Sequence, residues 1–133
     1  MKGSGEFVSD DEWFNLTLEY LKDLKNVLKL TIFLRSQVVI APNLKEKQKR
    51  YIEFKESLIS LIQMCLVMRR FPRDEFEEHL EKVQEIEDQY DEENFDELKR
   101  ILLDVLLDMR QQDPFEKIGR VIPLGEAIAE TMK

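Results

Sequence analysis

Residues that break or specialise a chain are scarce here. The 133 residues include four glycines, four prolines, one cysteine, one histidine and one tryptophan. With only Cys65 present, no intrachain disulfide can form, and a secreted disulfide scaffold is excluded. Few turn residues beside many Leu, Glu and Lys argue for helix over sheet. No apolar run approaches the ~20 residues that a membrane-spanning helix needs. The longest, Leu58 to Met68, is interrupted by Ser60 and Gln63 and meets Arg69-Arg70. No glycine-rich phosphate loop occurs, and the acids of Asp88–Glu93 lack the Asp-x-Asp-x-Asp-Gly spacing of a calcium loop. No secretory leader is visible, so the expected location is intracellular, with no compartment specified.

Charge is abundant. Charged residues make up 36% of the chain and the net charge is −8, which favours solubility and gives no general attraction to nucleic acid. The charge is unevenly divided: residues 35–73 carry net +6, residues 74–116 net −13. The plain explanation is pairing between a basic second helix and an acidic third one. The functional explanation is a two-faced molecule. Lys45, Lys47, Lys49 and Arg50, or separately Arg69, Arg70 and Arg73, then meet phosphates or an acidic partner.

Residues 1–7, Met-Lys-Gly-Ser-Gly-Glu-Phe, read as a cloning remnant, and the natural polypeptide is expected to extend further. Residues 8–133 read as a single helical domain with enough chain for a core. The centre is expected at Leu58–Met68, where apolar residues fall on nearly every face, so that the other helices should sheathe it on all sides.

The flanking segments carry helix signals. Ser9 to Glu12 forms a capping box, and Trp13, Leu16, Tyr20, Leu24 and Val27 or Leu28 follow at helical spacing. From Val27 to Ile40 the polar face is lost, so this first helix is expected to end buried, stopping before Pro42. Asn43 caps a second helix that runs to Arg69-Arg70, with both of its apolar faces covered. A third follows Pro72, with a narrow stripe at Phe76, Leu80, Val83, Ile86 and Tyr90. Asn94 is the expected cap of a fourth, built on Leu98, Ile101, Leu102, Val105 and Met109. Asp113-Pro114 starts a short fifth helix, and Leu124 to Met132 offers Leu124, Ala127 and Ile128 as a last one. The expected fold is all-α: an antiparallel bundle of four main helices plus one or two short C-terminal helices.

No catalytic, metal or cofactor site is expected. His79 cannot supply the two Glu-x-x-His motifs of a helical di-metal centre, since it is the only histidine. It reads as a boundary residue. Cys65 has no cationic neighbour within a turn and reads as a buried, inert thiol. The carboxylates from Asp74 to Glu116 read as solvated helix faces. Leu103-Asp-Val-Leu-Leu107 matches a helical docking box, but any leucine-rich core helix produces it.

Three function classes follow. The first is a non-enzymatic protein–protein interaction module or accessory subunit of a larger assembly, with a protein partner and no membrane. The second is a helical accessory subunit of a replication or transcription complex, contacting nucleic-acid phosphates through the basic residues above. The third, an enzyme, would need a cleft assembled from scattered carboxylates.

Overall fold

A computed structural model describes residues 10–68, 71–111 and 118–132, with side chains from residue 18 onward. Among them are five helices and no strand: α1 (Asp10–Val39), α2 (Leu44–Val67), α3 (Arg73–Glu85), α4 (Glu92–Gln111) and α5 (Leu124–Thr131). The all-α bundle expected from the sequence is the fold. No described helix is long and apolar enough to cross a membrane. The Ser9 capping box, the side chains of Trp13 and Leu16, Arg69-Arg70 and the Asp113-Pro114 start signal lie outside the described residues.

Helix α2 is the hub, packing against α1, α3 and α4, while α5 bridges α4 and α1. Cross-links along the α1–α2 pair fix its direction. Tyr20 bonds to the Met64 carbonyl, Thr31 meets Ser57, and Arg50 reaches the Gln37 carbonyl. Numbers rise on one helix as they fall on the other, so the two run antiparallel. The core is a continuous cluster that includes Leu21, Leu24 and Leu28 of α1, Tyr51, Phe54, Leu58, Leu61, Ile62 and Cys65 of α2, and Leu98, Leu102, Val105 and Leu106 of α4. Phe54 meets Phe95 edge-on, ring centres 5.8 Å apart. The last helix docks, burying Leu124, Ala127 and Ile128.

The helix boundaries depart from the sequence reading in three places. Helix α2 ends at Val67 and not at the arginine pair. Met68 turns extended and its N–H bonds back to the Cys65 carbonyl. Helix α3 ends at Glu85, five residues before Tyr90. The reason is competition for backbone groups. Side chains of α2 bond the backbone beyond α3: Lys55 takes the Ile86 carbonyl, which a helix running on to Tyr90 would offer to the Tyr90 N–H, and Tyr51 and Gln48 take the carbonyls of Glu87 and Asp88. The Gln48 side-chain oxygen also accepts from the Tyr90 N–H at 2.7 Å. Ile86 is still buried, and Tyr90 still packs edge-on against Tyr51, as loop residues. Helix α4 starts earlier than expected, at Glu92, because Asp91 is its cap. Its carboxylate accepts from the Asn94 N–H at 2.7 Å, while the Asn94 amide turns back to the Gln89 carbonyl. An aspartate with two glutamates in the first turn suits the positive end of the helix dipole. At Asn43 the expected cap is present, bonded to the Glu46 N–H at 2.9 Å.

Two burial expectations are corrected. The second half of α1 does not end buried: Leu30, Phe33, Val39 and Ile40 are 49, 55, 55 and 66% exposed. The central run of α2 is not sheathed on every side either. Val67 is 69% exposed, and Ile59, Met64 and Leu66 are half-buried. Helices α3, α4 and α5 pack on the hairpin through its core-facing lines, and among the described residues no helix covers the line of Leu30, Phe33 and Ile40.

Candidate interaction surface

The uncovered ridge is a product of helical spacing. Leu30, Phe33, Gln37 and Ile40 recur every three or four residues and so lie along one line of α1. The core-facing line, Leu24, Leu28, Thr31 and Val38, is fully buried. Between the two lines Val27 and Leu34 are half-buried against the core. Past the end of α1 the apolar character continues to Leu44, the first residue of α2, which is 74% exposed. Lys45 and Lys49, both exposed, follow on the first turns of α2. The result is an apolar strip running down α1 to the hairpin tip, with cations at its end.

The basic residues do not act as one group. Lys47 donates to the Val38 and Val39 carbonyls at 3.0 and 3.3 Å, and Arg50 to the Gln37 carbonyl at 3.0 Å. Both close the carbonyl end of α1, where cations suit the dipole. Arg50 also pairs with Glu46, at 3.5 Å. Arg73 pairs on the surface with Glu77 at 3.4 Å. That leaves Lys45 and Lys49 pointing outward without such a role. Lys55, a member of the basic segment not singled out beforehand, is buried and joins α2 to the acidic loop through Asp88 at 2.8 Å.

The groups considered for chemistry are placed as follows. Cys65 is fully buried, and burial pushes its thiol far above the ordinary range, which disfavours the reactive thiolate. His79 Nε2 lies 2.6 Å from Asp108 Oδ2, joining α3 to α4, with the Phe76 ring edge-on beside it. The histidine side chain is 12% exposed, so the pair is a half-enclosed tie between helices. Carboxylates of three segments, Glu85 and Glu87, Asp91 and Glu93, Glu97 and Asp104, line one cleft of about 580 Å3 between α3 and α4, together with Lys82 and Arg100. Among the described residues no set of three His, Cys, Asp or Glu is arranged to hold a metal ion. In the Leu103–Leu107 segment, Leu106 is core, Leu103 is half-buried and Leu107 is 43% exposed.

No protein-family model matches the chain, and neither a curated protein nor a solved structure matches it.

Leu30 and Phe33 were not identifiable as surface residues beforehand. Their signal was the missing polar face of Val27–Ile40, which reads equally well as burial against the same chain or against another.

Proposed function

We propose that this domain is a non-enzymatic interaction module, an accessory subunit or a domain of a larger assembly, that docks a protein partner along the outer ridge of α1 and the α1–α2 tip. One observation carries the reading: Leu30 and Phe33 on α1 and Ile40 just past its end, in line at helical spacing, are all about half exposed or more, in a chain rich enough in charge to have covered that line with lysine or glutamate. Aligned apolar residues on a helix, rimmed by polar groups, suit helix-mediated protein contacts.

Affinity capture from an extract of the source cells tests it. The wild-type domain is expected to retain a stoichiometric partner that Phe33→Glu and Ile40→Glu both lose while keeping wild-type circular dichroism. Capture that survives both substitutions would place docking elsewhere and overturn the reading. So would a wild-type domain that sediments as a monomer, binds no apolar dye and retains nothing.

A second reading, an accessory subunit contacting nucleic acid, is favoured by Lys45 and Lys49, which stand exposed beside Leu44 at the hairpin tip. It expects oligonucleotide binding that falls steeply with salt and is lost in Lys45→Glu/Lys49→Glu. Absence of binding at low ionic strength removes it.

A further inference from the structure

The exposed ridge of α1 has the spacing of a helix–helix seam. Leu30, Phe33, Gln37 and Ile40 follow one another at alternating steps of three and four residues, the rhythm by which one helix packs lengthwise on another. Ile40 keeps to that line although it stands just past α1, because its N–H still bonds to the Ser36 carbonyl at 3.2 Å. The pattern is also symmetric. Leu30 and Ile40 are equidistant from the level of Arg35, and so are Phe33 and Gln37. Laid antiparallel on a copy of itself, with a two-fold axis at that level, the ridge sets Leu30 against Ile40 and Phe33 against Gln37 of the second copy.

An independent pattern on α2 has its centre at the same level. The line of α2 that faces away from Tyr51, Phe54, Leu58 and Leu61 carries Lys45, Lys49, Glu53 and Glu56, all exposed. Two cations are followed by two anions, so the order of signs reverses about the level of Tyr51. Lys49 and Glu53 are four residues apart on one helix, yet none of these four side chains has an ion-pair partner among the described residues. Their charge is free to meet another molecule. Two contacts across the hairpin relate the helices in height. Thr31 lies 2.6 Å from Ser57, and Arg50 reaches the Gln37 carbonyl at 3.0 Å. Counting between them sets Tyr51 level with Ser36, within about 1.5 Å of the centre of the α1 seam. One two-fold axis crossing both helices there lays α1 on α1 and α2 on α2. It brings Lys49 to Glu53, and Lys45 to Glu56, of the second copy. A partner of another sequence requires neither pattern to be symmetric, nor the two centres to coincide.

We propose, resting on the docking role of the ridge argued above, that its occupant is a second copy of this chain, bound antiparallel through α1 and the outer line of α2 as an isologous dimer. Leu30, Phe33 and Ile40 supply its apolar seam. Gln37 is the single polar layer that holds the register. The lysines and glutamates of α2 supply complementary charge beside it.

Sedimentation of the purified whole chain over a concentration series tests the association, and pulsed electron-spin distances test the arrangement. A reversible monomer–dimer equilibrium is expected. Phe33→Glu, at an exposed position that leaves the circular dichroism unchanged, is expected to abolish it. Lys49→Glu and Glu53→Lys are each expected to weaken the dimer about tenfold, since each disturbs two symmetric pairs, and the two combined are expected to restore it. Spin labels on Ser36→Cys are expected close together beside the axis, and those on Lys22→Cys about 40 Å apart, at 1.5 Å per residue. A monomer at every concentration, or a dimer indifferent to Phe33→Glu, would overturn the proposal. Short distances from both labels would mean parallel pairing and overturn it equally. Charge variants that fail to rescue each other would overturn the pairing of α2. A monomer that captures a different protein through Phe33 and Ile40 removes the second copy and leaves the docking role of the ridge standing. A monomer that binds no apolar dye and captures nothing ends both.

Discussion

Thr31 Oγ1 and Ser57 Oγ lie 2.6 Å apart, buried in the otherwise apolar seam between α1 and α2. The direction of the bond follows from a third group. Thr31 Oγ1 is also 2.7 Å from the Val27 carbonyl, which can only accept, so the Thr31 hydroxyl donates there. Ser57 must then donate to Thr31. The order of the chain, serine to threonine to carbonyl, makes its two ends unequal. Thr31→Val strips Ser57 of its acceptor inside the seam and is expected to cost about 1–3 kcal/mol, whereas Ser57→Ala leaves the Thr31 bond to Val27 intact and costs about 0.5–1.5 kcal/mol. In the double variant the Ser57 substitution adds little. Urea unfolding of the three variants measures this, and a serine variant weaker than the threonine one would refute the assigned direction.

Lys55 anchors the loop after α3 through two acceptors of different standing. Its Nζ bonds to the Ile86 carbonyl and to Asp88, whose side chain is 80% exposed. The carbonyl loses its partner in Lys55→Met, at an expected cost of about 1–3 kcal/mol. An exposed ion pair contributes far less, so Asp88→Asn should cost about 0–1 kcal/mol. Chemical denaturation distinguishes the two, and a larger loss for Asp88→Asn would mean that charge, not the carbonyl, holds the loop.

Tyr51 makes the fold sensitive to alkali. Burial first, then the carboxylates Asp91, Asp88, Glu97 and Glu87, push its phenol from 10.0 up to about 12. Its hydroxyl donates to the Glu87 carbonyl at 2.7 Å, which also favours the neutral form. The folded-state pKa is raised, so the contribution is complete below pH 10, where both states hold the proton. It is lost as pH rises from there through about 12, because the unfolded chain releases the proton first. Stability is expected to decline across that window, and Tyr51→Phe should flatten the decline while lowering stability at neutral pH. An unchanged alkaline slope in that variant would assign the effect to other groups.

The Cys65 thiol reports on opening of the core. Fully buried in the core on α2, it is expected to react with a thiol reagent at least about a thousandfold more slowly in the native protein than in denaturant, since reaction waits for unfolding. Destabilising Thr31→Val should speed native labelling in proportion to its loss of stability. Rapid native labelling at wild-type stability would reveal a local opening of the end of α2.

The expected helices were legible because their signals are local. Asn43 before a helical stripe, Pro42 and Pro72 as stops, and Leu98, Ile101, Leu102 and Val105 at helical spacing each depend on residues within a few positions. The misread boundaries lie where distant residues intervene. Nothing near Ile86 announces that α3 ends there, because the groups that end it are Gln48, Tyr51 and Lys55 on another helix. Asn94 and Asp91 are both competent caps, and only the path of the chain out of that loop selects Asp91.

The surfaces divide in the same way. A cluster of lysines and arginines is visible in the letters from 45 to 50, but not that Lys47 and Arg50 turn inward to close α1. The sequence by itself determined the helices, their antiparallel order and the greasy centre of α2, because periodicity, caps and short connections act within a turn or two of chain. Only the tertiary structure decided which apolar face stays wet, since exposure depends on where the remaining helices come to rest. Here α3, α4 and α5 pack on the core-facing lines of the first hairpin and leave Leu30, Phe33 and Ile40 facing water.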